Sequence, residues 1–181
     1  MHRGLLASSL ATLALGVVVA LALAGTGALA QDDPPPAATP GAVGISAVPL
    51  GGLDPVAAPG HRFQVVELTW APGAYATRHF HPTALVTCVQ EGALGFRLDA
   101  GAATLTRGGT ADAPGEPEPL EPNAEVVLGP RDCVAFDEFA AHMEHTGWNA
   151  GDGLLVLWEA RLLDPDQPFT TYVNELGTPV A

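Results

Sequence analysis

The chain has 181 residues, of which 48% are hydrophobic and 15% charged, and its formal net charge is −13. This length and composition suit one globular domain with a buried core, and they exclude a wholly disordered chain. All seven basic residues are arginines, which excludes a lysine Schiff base and a P-loop, and the acidic balance argues against binding to nucleic acid or to anionic membranes.

The first 30 residues are typical of an export signal. Arg3 gives a basic start, residues 5–24 are almost entirely apolar, and residues 28–30 (Ala-Leu-Ala) form a small-x-small cleavage site. We therefore predict a helical signal peptide over 1–30 that is removed on export. The alternative is an uncleaved membrane anchor, since about 20 apolar residues can span a bilayer. Either outcome places the rest of the chain in the periplasm, at the cell surface or outside the cell, where disulfides persist.

The next segment, residues 31–57, is rich in Ala, Pro and Gly and has few large apolar side chains. This composition predicts a flexible linker, with an edge strand over 45–50 as an alternative for part of it. The folded domain is then expected over 58–181.

This domain has the pattern of an all-β fold. Short apolar or alternating runs are separated by turn residues such as 71–73, and 108–123 is predicted to be a flexible acidic loop. After position 60 the sequence has no helical periodicity over 12 or more residues. The pattern favours a β-sandwich or barrel. The predicted strands are 63–70, 85–89, 94–98, 103–106, 126–128, 134–136 and 154–163.

Histidines give the chemical signal. His79 and His81 are separated by one residue, so on a strand their side chains share one face, about 6.5–7 Å apart at the backbone. Two imidazoles placed in this way can bind the same metal ion. An incidental pair of histidines is the alternative.

The surroundings of this pair resemble the first motif of the cupin superfamily, in which two histidines lie between two glycines, here Gly73 and Gly92. The later segment 145–152, with His145 followed four residues later by Asn149, is similar to the end of the second cupin motif. The resemblance covers residues 63–163. It implies a cupin-type double-stranded β-helix, or jelly-roll barrel, in which histidines from both motifs converge on one metal.

The chain also departs from the family pattern. The carboxylate ligand expected four or five residues after the second histidine is replaced by Leu85 and Val86. Either His145 or His142 can be the third ligand, and His145 preserves the spacing to the asparagine. We expect His79, His81 and His145 to be the metal ligands. Additional ligands are sought between 137 and 144, where the candidates are His142, Glu138 and Glu144.

An imidazole-rich site suits Fe, Zn, Ni or Cu and suits Mg or Ca poorly. In the strand order of the family, Cys88 and Cys133 lie on the same face of adjacent strands. A disulfide between them is therefore expected, with two buried free thiols as the alternative.

The resemblance leaves three functions open. The first is an exported metal-binding protein that holds a small molecule, and the second is a metal-dependent, oxygenase-like enzyme acting on a small organic substrate. The third is a degenerate barrel without metal that serves protein contacts, for instance in a homodimer. Because the family carboxylate is missing, the sequence favours the first function, and whether the protein is an enzyme stays open.

Overall fold

The computed structural model describes residues 41–113 and 115–180. The predicted signal over 1–30 and the first part of the predicted linker lie outside the described residues. Within the described ranges no helix is long and apolar enough to cross a membrane. The regular structure in these ranges consists of strands: β1 Ala42–Leu53, β2 Arg62–Phe80, β3 Thr83–Glu91, β4 Leu94–Ala100, β5 Ala103–Thr106, β6 Pro117–Leu120, β7 Glu125–Leu128, β8 Cys133–Asp137, β9 Glu144–Asn149, β10 Leu155–Leu163 and β11 Thr171–Tyr172.

The strands form a curled antiparallel sheet, which confirms the predicted all-β fold of jelly-roll type. Strand β2 lies in the middle of the sheet, between β10 and β9, and its two halves pair with different neighbours. Its first half pairs with β10, which leads through β3, β8 and β5 to β6. Its second half pairs with β9, which leads through β4 to β7. The long strand thereby brings two sets of strands around one interior.

The predicted turn at 71–73 is a bend inside β2, where the strand changes partners. Gly73 adopts a φ of 74° there, a value that glycine tolerates better than other residues. The buried amide of Asn149 holds this bend in place. Its Nδ2 donates hydrogen bonds to the carbonyls of Trp70, Ala71 and Gly153, at 3.2, 3.1 and 2.8 Å. The asparagine of the second motif therefore ties β9 to the centre of β2.

Two segments that were predicted to be irregular are strands. Residues 42–53 fall in the predicted linker, yet they form β1 and pair with β2 from Ala42–Ala76 to Leu53–Phe63. The suggested edge strand over 45–50 is part of this longer strand. Backbone pairing needs no large side chains, so its Ala- and Gly-rich composition concealed it. Within the predicted loop 108–123, β6 pairs with β5 because buried Leu120 anchors it.

Alternation along the strands determines which side chains form the core. On β3 Leu85, Thr87 and Val89 are buried, whereas Val86 is exposed. Cys88 directly opposes Cys133 on β8, and the two form the predicted disulfide, with an S–S distance of 2.02 Å. The pair crosslinks neighbouring strands on the outer side of the sheet.

Candidate metal centre

The second half of β2 and its neighbour β9 bring the three predicted ligands together. His79 lies near the end of β2, His81 follows the last residue of that strand, and His145 on β9 is the direct register partner of His79. All three side chains are buried. Of the two candidates for the third ligand, His145 is the one that the fold places beside His79 and His81.

The three imidazoles form one compact cluster. The ring centroids of His79 and His145 are 4.1 Å apart, those of His79 and His81 are 4.7 Å apart, and those of His81 and His145 are 5.2 Å apart. One nitrogen of each ring lies within 4.8 Å of the corresponding nitrogens of the other two. These residues could hold a metal ion.

Hydrogen bonds determine which ring nitrogens are free to bind a metal ion. The Nδ1 of His79 donates to the carbonyl of Thr77 at 2.6 Å, and the Nδ1 of His81 donates to the carbonyl of Phe169 at 2.9 Å. A carbonyl oxygen only accepts hydrogen bonds, so both hydrogens are on Nδ1. In the neutral rings each Nε2 then carries a lone pair, and these two Nε2 atoms face each other at 3.1 Å.

This arrangement fits a transition-metal ion. Two lone pairs at such a distance repel each other unless a cation lies between them. Nitrogens that bind one tetrahedral zinc ion at about 2.0–2.1 Å are separated by about 3.3 Å. Metal-binding histidines usually donate their other ring N–H to a carbonyl or carboxylate, as His79 and His81 do here.

Burial keeps the cluster neutral. It lowers the pKa of His79 from 6.5 to about 4, although the hydrogen bond to Thr77 acts in the opposite direction. Burial also lowers the pKa of His81 and of His145 well below 6.5, and the neighbouring His79 shifts both in the same direction. Neutral imidazoles are the form that binds metal.

The third ring, His145, is positioned by packing. It stacks on Phe96 with a centroid distance of 5.1 Å, and its Nδ1 is buried without a hydrogen-bond partner among the described residues. Phe96 is itself buried.

The additional ligands that the sequence suggested do not join the cluster. His142, whose side chain is 55% exposed, pairs through Nε2 with Glu144 at 2.9 Å, and Glu144 in turn pairs with Arg78. Glu144 precedes His145 on β9, so alternation turns it away from the cluster. Glu138 uses one carboxylate oxygen to accept the backbone N–H of His81 at 3.1 Å. These residues therefore lie outside the cluster, and Glu138 contacts it only through the backbone of His81.

The cluster opens into a cavity of about 140 Å³. Its walls are mainly apolar and aromatic, and they include Leu85, Leu94, Phe96 and Phe136.

Sequence reasoning missed the charged pair beside this cavity. Glu159 and Arg161 on β10 are 6% and 8% exposed, and Glu159 lines the cavity. The guanidinium of Arg161 lies 3.9 Å from the ring centroid of Phe169, which stacks on His81 at 4.4 Å. Burial raises the pKa of Glu159 to about 7, against the opposing effect of Arg161. Every second residue of β10 points inward, beginning with buried Leu155 and Leu157. Continuing this alternation along the sequence would have placed Glu159 and Arg161 on the inner face as well.

Comparisons with known proteins add a similarity of fold. No family model matches the chain, and no curated protein is similar to it. Among solved structures, it is similar to a cupin superfamily protein of Desulfitobacterium hafniense, with 15% identity, a TM-score of 0.43 and coverage of 66% of this chain and 78% of that one. A cupin 2 domain-containing protein of Halorhodospira halophila has 21% identity, a TM-score of 0.46 and coverage of 74% and 73%.

An oxalate oxidase in complex with glycolate is also similar, with 16% identity, a TM-score of 0.34 and coverage of 72% of this chain and 55% of that one. Two of these solved structures are named as cupin proteins, and the similarity to them is one of fold. At identities of 21% or less and TM-scores below 0.5, this resemblance assigns neither a ligand nor an activity to the chain.

Proposed function

We propose that this protein is exported, binds one divalent transition metal through His79, His81 and His145, and holds a small molecule in the adjoining cavity. One observation supports the metal most directly: the unprotonated Nε2 atoms of His79 and His81 face each other at 3.1 Å inside the protein. Such an arrangement has no stabilising partner until a cation binds.

Three imidazole ligands leave coordination positions free for a further group. A bound Zn, Fe, Ni or Cu ion would supply Lewis acidity to a molecule in the cavity. The chain's own residues fix the ligand rings through the carbonyls of Thr77 and Phe169, and they exclude water by surrounding the cluster with apolar walls. The cavity volume of about 140 Å³ limits the bound molecule to a small one.

Export is part of the proposal. The segment 1–30 has the sequence features of a signal, and the Cys88–Cys133 disulfide suits an oxidising compartment. Mass spectrometry of the protein recovered after expression in a secreting host tests this directly. We expect the chain to begin at residue 31, whereas a full-length chain in the cytoplasm would contradict export.

Zinc titration of the purified protein tests the metal site. We expect one equivalent to bind, and we expect affinity to fall roughly 100-fold or more in the His79→Leu and His81→Leu variants. His142→Ala is the matched control, because His142 lies outside the cluster and its removal should leave zinc affinity unchanged. If the protein bound none of zinc, iron, nickel and copper, the metal site would be refuted and a barrel that serves protein contacts would be favoured. Sedimentation analysis would then show whether the chain forms a homodimer.

A metal-dependent enzyme is the second candidate, and Glu159 favours it. This carboxylate lines the same cavity as the histidines, and burial raises its pKa to about 7, which suits a group that accepts and returns protons near neutral pH. Oxygen consumption by the metal-loaded protein with small organic substrates separates the two functions. Turnover that depends on both His79 and Glu159 supports the enzyme, and binding without turnover supports the binding protein.

A further inference from the structure

The cavity has a polar end that the metal site does not explain. Glu159 on β10 and Thr87 on β3 are direct register partners, both side chains are buried, and both line the cavity. Neither Glu159 Oε2 nor Thr87 Oγ1 has a hydrogen-bond partner among the described residues. A buried polar atom without a partner costs free energy, so two of them at one paired position indicate a group that binds between them.

The charges around this end restrict what can bind there. Among the described residues that line the cavity, none is Lys or Arg, so an anion placed at this end would be repelled by the ionised Glu159 carboxylate. A second cation is also disfavoured, because Arg161 Nη1 already lies 3.6 Å from Glu159 Oε2. A neutral group that both donates and accepts a hydrogen bond satisfies Glu159 and Thr87 together.

The remaining walls of the cavity limit the chemistry of the rest of the bound small molecule. They are largely apolar and aromatic, including Phe96, Phe136 and Leu157. The cavity volume of about 140 Å³ is close to that of an engineered protein cavity that binds benzene.

We propose that Glu159 and Thr87 recognise the hydroxyl group of a small neutral molecule with an apolar body, an alcohol or a phenol. The hydroxyl donates to Glu159 Oε2 and accepts from Thr87 Oγ1, and the apolar body faces the aromatic walls. The guanidinium of Arg161 lies 3.6 Å from Glu159 Oε2, beyond hydrogen-bond distance, and 3.9 Å from the centroid of the Phe169 ring, so its charge stabilises the ionised carboxylate. This inference rests on the proposed binding of a small molecule in the cavity and names its chemical class.

Calorimetric titration with phenol and toluene tests the inference, because these two molecules have nearly the same shape and differ in the hydroxyl. The zinc-loaded whole chain is used at pH 8, above the pKa of about 7 of Glu159. We expect the ratio of phenol affinity to toluene affinity to fall by roughly 10-fold or more in Glu159→Leu. The same substitution at exposed Glu91 on β3 is the control and should leave the ratio unchanged.

Further variants keep the result interpretable. Thr87→Val preserves shape and should lower the same ratio several-fold even if Glu159→Leu fails to fold, while Glu159→Gln keeps an acceptor and should retain most of the preference. An unchanged ratio in both Glu159→Leu and Thr87→Val, or no binding of phenol, would overturn the inference. Zinc content measured on the same samples reports separately on the proposed metal site. Wild-type protein that binds no zinc would refute that site, whatever the ratio of phenol affinity to toluene affinity is.

Discussion

The buried histidines make a quantitative prediction about the metal-free protein. Burial lowers the pKa of His79 from 6.5 to about 4, so the unfolded chain binds a proton at this residue more readily than the folded chain. Protonation of His79 in the unfolded chain therefore does not reduce the free energy of unfolding above about pH 6.5, and it reduces it progressively as the pH falls towards 4. From these two pKa values, the loss at pH 5 is about 2 kcal/mol relative to pH 7.5.

Other groups also titrate in this range, so a difference between variants is needed. Glu159, with its raised pKa of about 7, has the opposite sign, since folding is favoured as the pH falls from about 7 towards 4.5. Comparing the wild-type protein with His79→Leu cancels this contribution. We expect the variant to gain about 2 kcal/mol in free energy of unfolding relative to wild type between pH 7.5 and pH 5.

Urea unfolding in the presence of EDTA measures this difference at both pH values. Leu157→Ala is the control, because it removes buried apolar volume without a titratable group, and its cost should be the same at pH 5 and pH 7.5. A His79→Leu effect that is equal at the two pH values, or larger in cost at pH 5, would refute the account of the cluster as buried neutral imidazoles.

Three further predictions concern the frame that holds the cluster. Replacing Cys88 and Cys133 with alanine opens a loop of 45 residues and should cost about 4 kcal/mol in the chain-entropy account, as measured by urea unfolding; equal stability would contradict a disulfide in the native protein. Asn149→Ala removes four hydrogen bonds from a buried amide and should cost about 2–4 kcal/mol, seen as a lower Tm, while an unchanged Tm would show that the bend does not depend on it. Gly95→Ala would place a Cβ 2.0 Å from the Trp148 ring and should cost about 1–3 kcal/mol; this cost should shrink in a Trp148→Ala background, and the same cost in both backgrounds would exclude the clash as its cause.

Strand alternation explains what could be predicted of the site. The spacing of His79 and His81, together with the motif around His145, predicted a cluster that the topology brings together. Alternation also placed the two cysteines on one outer face. Both predictions depend on local geometry plus the strand order that the family resemblance implies.

The parts of the structure that were not predicted have different causes. Phe169 lies outside any predicted strand, and its position against His81 depends on how the chain returns after β10. Glu159 and Arg161 lie in a run that is otherwise apolar, and their partly compensating charges allow burial that composition alone would not suggest. Strand β1 was suggested only over 45–50 and as an alternative, because its Ala- and Gly-rich sequence lacks the large apolar side chains that mark the other strands.

X-ray absorption at the metal edge of the zinc-loaded protein tests the central claim most directly. We predict nitrogen ligands at about 2.0–2.1 Å with the outer-shell scattering of three imidazoles, and loss of one imidazole in His145→Leu. A spectrum dominated by oxygen or sulfur ligands, or one that His145→Leu leaves unchanged, would contradict a metal centre built from these three histidines.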